Sequence, residues 1–126
     1  MKKIIILSIS IILSFISIAS AEVIHINCKF NEGWHKKGGY REDAKSRKDL
    51  TLSWDKEKRI IKDTDRNFEP YNTFKDSFRW SHKWTGWYDN YTLNTINGNL
   101  TISGYNREEK WETLFYYTCD KTQKKF

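Results

Sequence analysis

The sequence predicts an all-β fold: a single small antiparallel barrel or sandwich of about seven to eight strands, its ends joined by a disulfide. Three observations carry this. Most of the chain alternates apolar and polar residues with period two, Asn97-Gly98 sits between two such runs, and Cys28 and Cys119 lie near the two ends of the alternating region. No segment after the leader sustains a helical period.

Residues 23–30 open the pattern, with Ile24, Ile26, Cys28 and Phe30 on one face and His25, Asn27 and Lys29 on the other. Residues 34–48 have no lasting period and contain Gly38-Gly39, which predicts a long loop with one helical turn over 42–47. Leu50, Leu52 and Trp54 share a face of a strand over 49–54. A polar turn at 55–58 then leads into a partner over 58–63. A connector over 65–72 surrounds Pro70, the single proline. Phe74, Asp76, Phe78 and Trp80 predict one strand over 74–81, broken on its apolar side only at Asp76. Strands over 87–96 and 99–104 flank Asn97-Gly98, read as a two-residue turn because both positions tolerate positive φ. That register pairs Leu93 with Ile102 and gathers Leu93, Leu100 and Ile102 on one face. In the last strand, 111–119, Trp111, Thr113, Phe115, Tyr117 and Cys119 align.

Both cysteines thus face the apolar side of terminal strands, as a first-to-last bridge requires. Such a bridge closes nearly the whole domain into one loop and stabilises it by roughly 4 kcal/mol. Two free thiols or an intermolecular bridge is the competing reading.

Residues 1–21 read as a cleavable signal peptide. Lys2-Lys3 precede the apolar run 4–18, and Ala19-Ser20-Ala21 supplies the small-residue exit, with cleavage before Glu22. The rival is an uncleaved anchor, since the apolar stretch just reaches spanning length. Cleavage leaves a single domain, 22–126, with no further membrane-spanning segment, in a periplasmic or secreted location. Loss of Lys2 and Lys3 lowers the formal net charge of +6 by two. The remaining mild basic bias, spread along the chain, suits an anionic envelope component, with nucleic acid less favoured. A solvated mixed-charge surface accounts for it as well.

No catalytic motif stands out. His25, His35 and His82 lack a ligand-like spacing, and there is no G-x-S-x-G, P-loop or C-x-x-C, so no catalytic residue, metal or cofactor is expected. Asn90-Tyr91-Thr92 and Asn99-Leu100-Thr101 match the glycosylation triplet, which carries no meaning in most bacteria. The densest aromatic stretch is residues 79–88. There Trp80, Trp84, Trp87 and Tyr88 interleave with Arg79, His82 and Lys83 and could stack a glycan or small ligand. Core filling is the competing reading for the tryptophans. Because Trp84 and Trp87 are three apart, they cannot share a face of one regular strand, so at least one is expected to leave the core or lie in a turn.

Leu93-Asn94-Thr95-Ile96-Asn97-Gly98-Asn99-Leu100 together with Cys119-Asp120-Lys121 resembles small exported β proteins of AT-rich marine alphaproteobacteria. Those carry a signal peptide, an early cysteine, an L-N-R-x-T-G-x-L hairpin and a C-x-K tail. Thr95 and Asn97 here stand where that group has arginine and threonine. The resemblance spans the leader and the C-terminal third, and it implies the fold without an activity.

Together these readings predict a non-enzymatic exported binding or interaction protein with Trp80, Trp84, Trp87 and Tyr88 at its site. An envelope structural protein or a small β-barrel protein inhibitor is the alternative. A cationic lysozyme is disfavoured as the inhibitor's target because this domain is itself positively charged.

Overall fold

The computed structural model describes residues 23–64 and 66–120. The predicted signal peptide, residues 1–21, and the basic tail after Asp120 lie outside them. The described residues form ten strands and no helix: β1 (Val23–Lys37), β2 (Tyr40–Asp43), β3 (Leu50–Asp55), β4 (Ile60–Asp63), β5 (Glu69–Pro70), β6 (Asn72–Phe74), β7 (Ser77–Trp84), β8 (Trp87–Asn94), β9 (Asn99–Asn106) and β10 (Trp111–Cys119). All pairings are antiparallel, in the order β5-β4-β3-β1-β10-β9-β8-β7-β6, with β2 also on β1. β5 and β6 are separated only by Tyr71, so the two ends of this order meet on one stretch of chain and bring the sheet round to a nearly closed barrel.

Ten strands rather than seven or eight result from three hairpins hidden in the sequence. The predicted loop over 34–48, with its helical turn, is instead the second half of β1, a tight turn at Gly38-Gly39, and β2. The cause lies in a β-bulge. The register of β1 on β10 shifts between Phe30 and Glu32, so Asn31 is the extra residue and the inward positions change from even to odd numbers. Gly33 and His35 then continue the face begun by Ile26 and Cys28, and no uniform period is visible. The connector around Pro70 supplies β5 and β6. The single strand over 74–81 is split by a turn at Lys75-Asp76, where Phe74 pairs with Ser77 and Lys75 takes φ 52°.

The hairpin around Asn97-Gly98 exists, but its register is two residues shorter than predicted: Leu93 pairs with Leu100 and Tyr91 with Ile102. The loop spans four residues because Asn94 organises it. Its Oδ1 accepts the backbone N–H groups of Ile96 and Asn97, and its carbonyl accepts that of Gly98. Only Gly98 needs positive φ, 77°. A slip of two preserves the pleat, so Leu93, Leu100 and Ile102 still share the inner face.

Cys28 and Cys119 are bonded and directly opposed in the ladder, Cα to Cα 3.9 Å, joining the first strand to the last. Around them Ile26, Leu52, Ile61, Leu93 and Leu100 are fully buried. The indole of Trp54 closes this core, donating to the Tyr71 hydroxyl at 2.9 Å, while Tyr71 lies against Phe78 at 4.6 Å.

Candidate functional site

At the other end of the barrel the inward side chains do not fill the space. A cavity of about 430 Å³ remains, bounded by the β7–β8 and β9–β10 turns, the end of β4 and the segment between β2 and β3. The volume falls within the usual range for small-molecule sites. Trp84, Trp87 and Trp111 form its upper wall, and Tyr91, Phe115 and Tyr117 lie deeper.

The Trp84–Trp87 arrangement arises from a tight turn. Thr85 and Gly86 have φ of 31° and 79°, which makes a two-residue turn and pairs Trp84 directly with Trp87. Residues three apart in sequence are therefore cross-strand neighbours, and their rings stack at 6.2 Å with planes 14° apart. The two do not share a face of one strand and neither lies in the buried core, as their three-residue spacing implied. They belong to two strands, and both line the same wall.

The other two residues singled out in the sequence lie elsewhere. Trp80 is buried behind the cavity, stacked on Tyr91 at 4.9 Å and 6°. Tyr88 is absent from the lining and has Lys83 Nζ 5.1 Å from its ring centroid. Lys83, through a hydrogen bond and its charge, holds that phenol below the usual tyrosine range.

The cavity also contains charges that the reading from sequence did not single out. Asp89 lies on the inner face of β8 between Trp87 and Tyr91, and its Oδ2 accepts the Trp84 indole N–H at 2.8 Å. Arg66 approaches the same oxygen at 3.8 Å, with its guanidinium 4.4 Å from the Trp84 ring centroid. Asp63, at the end of β4, accepts from the Tyr91 hydroxyl at 2.9 Å. Arg47 lies over Phe115 at 3.9 Å. Glu42 and Glu109 complete the charged lining. Glu109 is positioned by Asn106, whose Oδ1 accepts the N–H groups of Glu108 and Glu109 at 3.0 Å each and so folds the β9–β10 turn.

Room for Asp89 is made by Gly104, its neighbour across the β8–β9 ladder. A Cβ there would strike the Thr113 hydroxyl and come 2.8 Å from the Asp89 carboxylate. Burial, then the charges of Asp63 and Asp89, push the Tyr91 phenol far above its ordinary pKa, with Arg66 opposing weakly. Tyr117 is raised as well, first by burial.

A sequence signal for Asp89 did exist. In Trp87-Tyr88-Asp89-Asn90-Tyr91-Thr92-Leu93 the charged residue falls on the apolar face, where an unneeded carboxylate is costly. Asp63, two positions after Ile61, carries the same mark. The histidines are dispersed: His35 is in the cavity, His25 is against Ser53 at 3.2 Å, and His82 is against Glu69 at 3.4 Å. Among the described residues no three His, Cys, Asp or Glu side chains converge as a metal site. No protein-family model, curated protein or solved structure matches the chain.

Proposed function

We propose that this is a non-enzymatic exported binding protein that holds a small ligand in the open end of its barrel. The observation that carries the reading is the asymmetry of the interior: one end buries aliphatic side chains around the disulfide, while the other keeps a cavity of about 430 Å³ walled by three tryptophans. Concave, ring-lined sites with a few fixed polar groups are the usual form of small-ligand pockets. Trp84 and Trp87 are the members of the sequence-derived set that touch the ligand. Trp80 supports them from behind through Tyr91. The Cys28–Cys119 bridge is compatible with an oxidising compartment and so with export to the periplasm or beyond.

The test is native mass spectrometry of the protein purified from the envelope of its own host. A retained small molecule is expected, lost on denaturation, on a chain that begins at Glu22. Recovery of the bare chain alone, with tryptophan emission unchanged by a small-molecule extract of the same envelope, overturns the reading.

A further inference from the structure

The charge of the cavity runs against the charge of the chain. The whole sequence carries +6, yet the cavity is lined by four carboxylates, Glu42, Asp63, Asp89 and Glu109, against two guanidiniums, Arg47 and Arg66. The acidic groups are distributed in depth. Asp89 is buried and Asp63 half-buried, whereas Glu42 and Glu109 are exposed. An entering ligand meets negative charge at the mouth and again on the floor.

The rings reinforce this preference. The face of an indole or phenyl ring attracts cations through its quadrupole, most strongly where water is excluded. The chain's own cations already use these faces: Arg66 on Trp84 at 4.4 Å, Arg47 on Phe115 at 3.9 Å, and Lys37 on Trp111 at 5.4 Å. The carboxylates also hold the rings in place, since Asp89 accepts from the Trp84 indole and Asp63 from the Tyr91 hydroxyl. Acidic groups and aromatic faces thus form one connected wall. An anion would have to pass Glu42 and Glu109 and sit beside two further carboxylates, which outnumber the lining guanidiniums of Arg47 and Arg66 among the described residues.

We propose that the cavity takes an organic cation, a protonated amine or quaternary ammonium with an apolar body, its charge set between Asp89, Asp63 and the faces of Trp84, Trp87 and Trp111. The proposal rests on the binding-protein reading above and adds the chemical class of the ligand. Arg66 is then a competitor. At 3.8 Å from Asp89 it is beyond hydrogen-bond distance, and it covers the Trp84 face that the ligand's cation would use. Removing a carboxylate and removing Arg66 must therefore change affinity in opposite directions, which a purely steric pocket would not do.

The experiment titrates tryptophan emission of the intact mature protein with three probes of similar shape at one ionic strength: benzyltrimethylammonium, benzyl alcohol and phenylacetate. The cation is expected to bind about tenfold or more tighter than the other two. Asp89→Asn should weaken the cation about tenfold, with a smaller change for benzyl alcohol because the same carboxylate also holds Trp84, and Arg66→Gln should tighten the cation. Glu109→Gln, on an exposed turn, gives the same sign as Asp89→Asn with no threat to folding, so the result does not depend on the buried variant. If benzyl alcohol or phenylacetate binds as tightly as the cation, or if Arg66→Gln weakens cation binding, the charge inference falls and the binding-protein reading stands. If no probe alters emission or appears in native mass spectra, the cavity reading itself falls, and this inference with it.

Discussion

The two ends of the barrel are built from the same strands, yet one is a packed core and the other a lined hollow. Along β8 the inward residues run Leu93, Tyr91, Asp89, Trp87, and along β9 they run Leu100, Ile102, Gly104, Asn106. On β4, Ile61 gives way to Asp63. At the sealed end Ile26, Leu52, Ile61, Leu93 and Leu100 are buried around the disulfide. At the open end a glycine, two aspartates and flat rings take the corresponding positions. Trp84 and Tyr91 are held there by hydrogen bonds to Asp89 and Asp63. Stability is thereby concentrated at one end and solvent-accessible chemistry at the other.

The largest expected effect comes from unfastening the sealed end. Replacing Cys28 and Cys119 together by serine should cost about 4.5 kcal/mol, from the chain entropy released across a sequence separation of 91. Urea unfolding measures it, and a loss under about 1 kcal/mol would mean that the core alone holds the ends together.

Tryptophan truncation compares the ends directly. Trp54→Ala removes a 1 % exposed indole and should cost about 3–5 kcal/mol. Trp84→Ala removes one that is 38 % exposed and should cost less than about 2 kcal/mol. Equal losses would erase the distinction between core and cavity wall.

Gly98→Val forces a β-branched residue to φ near 77° in a turn whose carbonyl also accepts the Cys119 N–H. The expected loss is about 2 kcal/mol in denaturant melts. Melting at the wild-type midpoint would show that the loop tolerates another path.

The smallest effect belongs to the open end and appears only in alkali. The folded barrel disfavours ionised Tyr91. Its contribution is fully present below the ordinary tyrosine pKa of about 10 and is lost as pH rises beyond it, because the unfolded chain then releases a proton that the folded one keeps. Above that point stability should fall by up to about 1.4 kcal/mol per pH unit from this group. Tyr91→Phe should flatten the decline, and thermal melts of the two proteins between neutral and strongly alkaline pH provide the check. Parallel curves would mean that another tyrosine dominates.

The strands easiest to recognise from sequence are those whose inward faces are mainly apolar. In β3, β9 and β10 alternation alone defines the face, and the pairing of Cys28 with Cys119 follows from it. Recognition failed where a local irregularity offset the period: at Asn31, which shifts β1 by one, and at Lys75-Asp76, where a two-residue turn reverses the chain within what reads as a single strand. The candidate site was half legible for the same reason. Trp84 and Trp87 stood out by density, and one of them was expected to leave the core or lie in a turn, but their stacking across two strands was not foreseen. Asp63 and Asp89 were visible as charges on apolar faces, yet only the closed barrel shows that they face one space.

By itself the sequence determined the class of fold, the inner and outer faces of most strands, and the covalent closure of the ends. These depend on local periodicity and on residue chemistry that no distant contact alters. Tertiary structure alone decided the strand order, the exact hairpin registers and the existence of a cavity. A cavity is the volume left when side chains far apart in sequence, Asp63 on β4, Asp89 on β8 and Trp111 on β10, are brought round one axis and do not fill it.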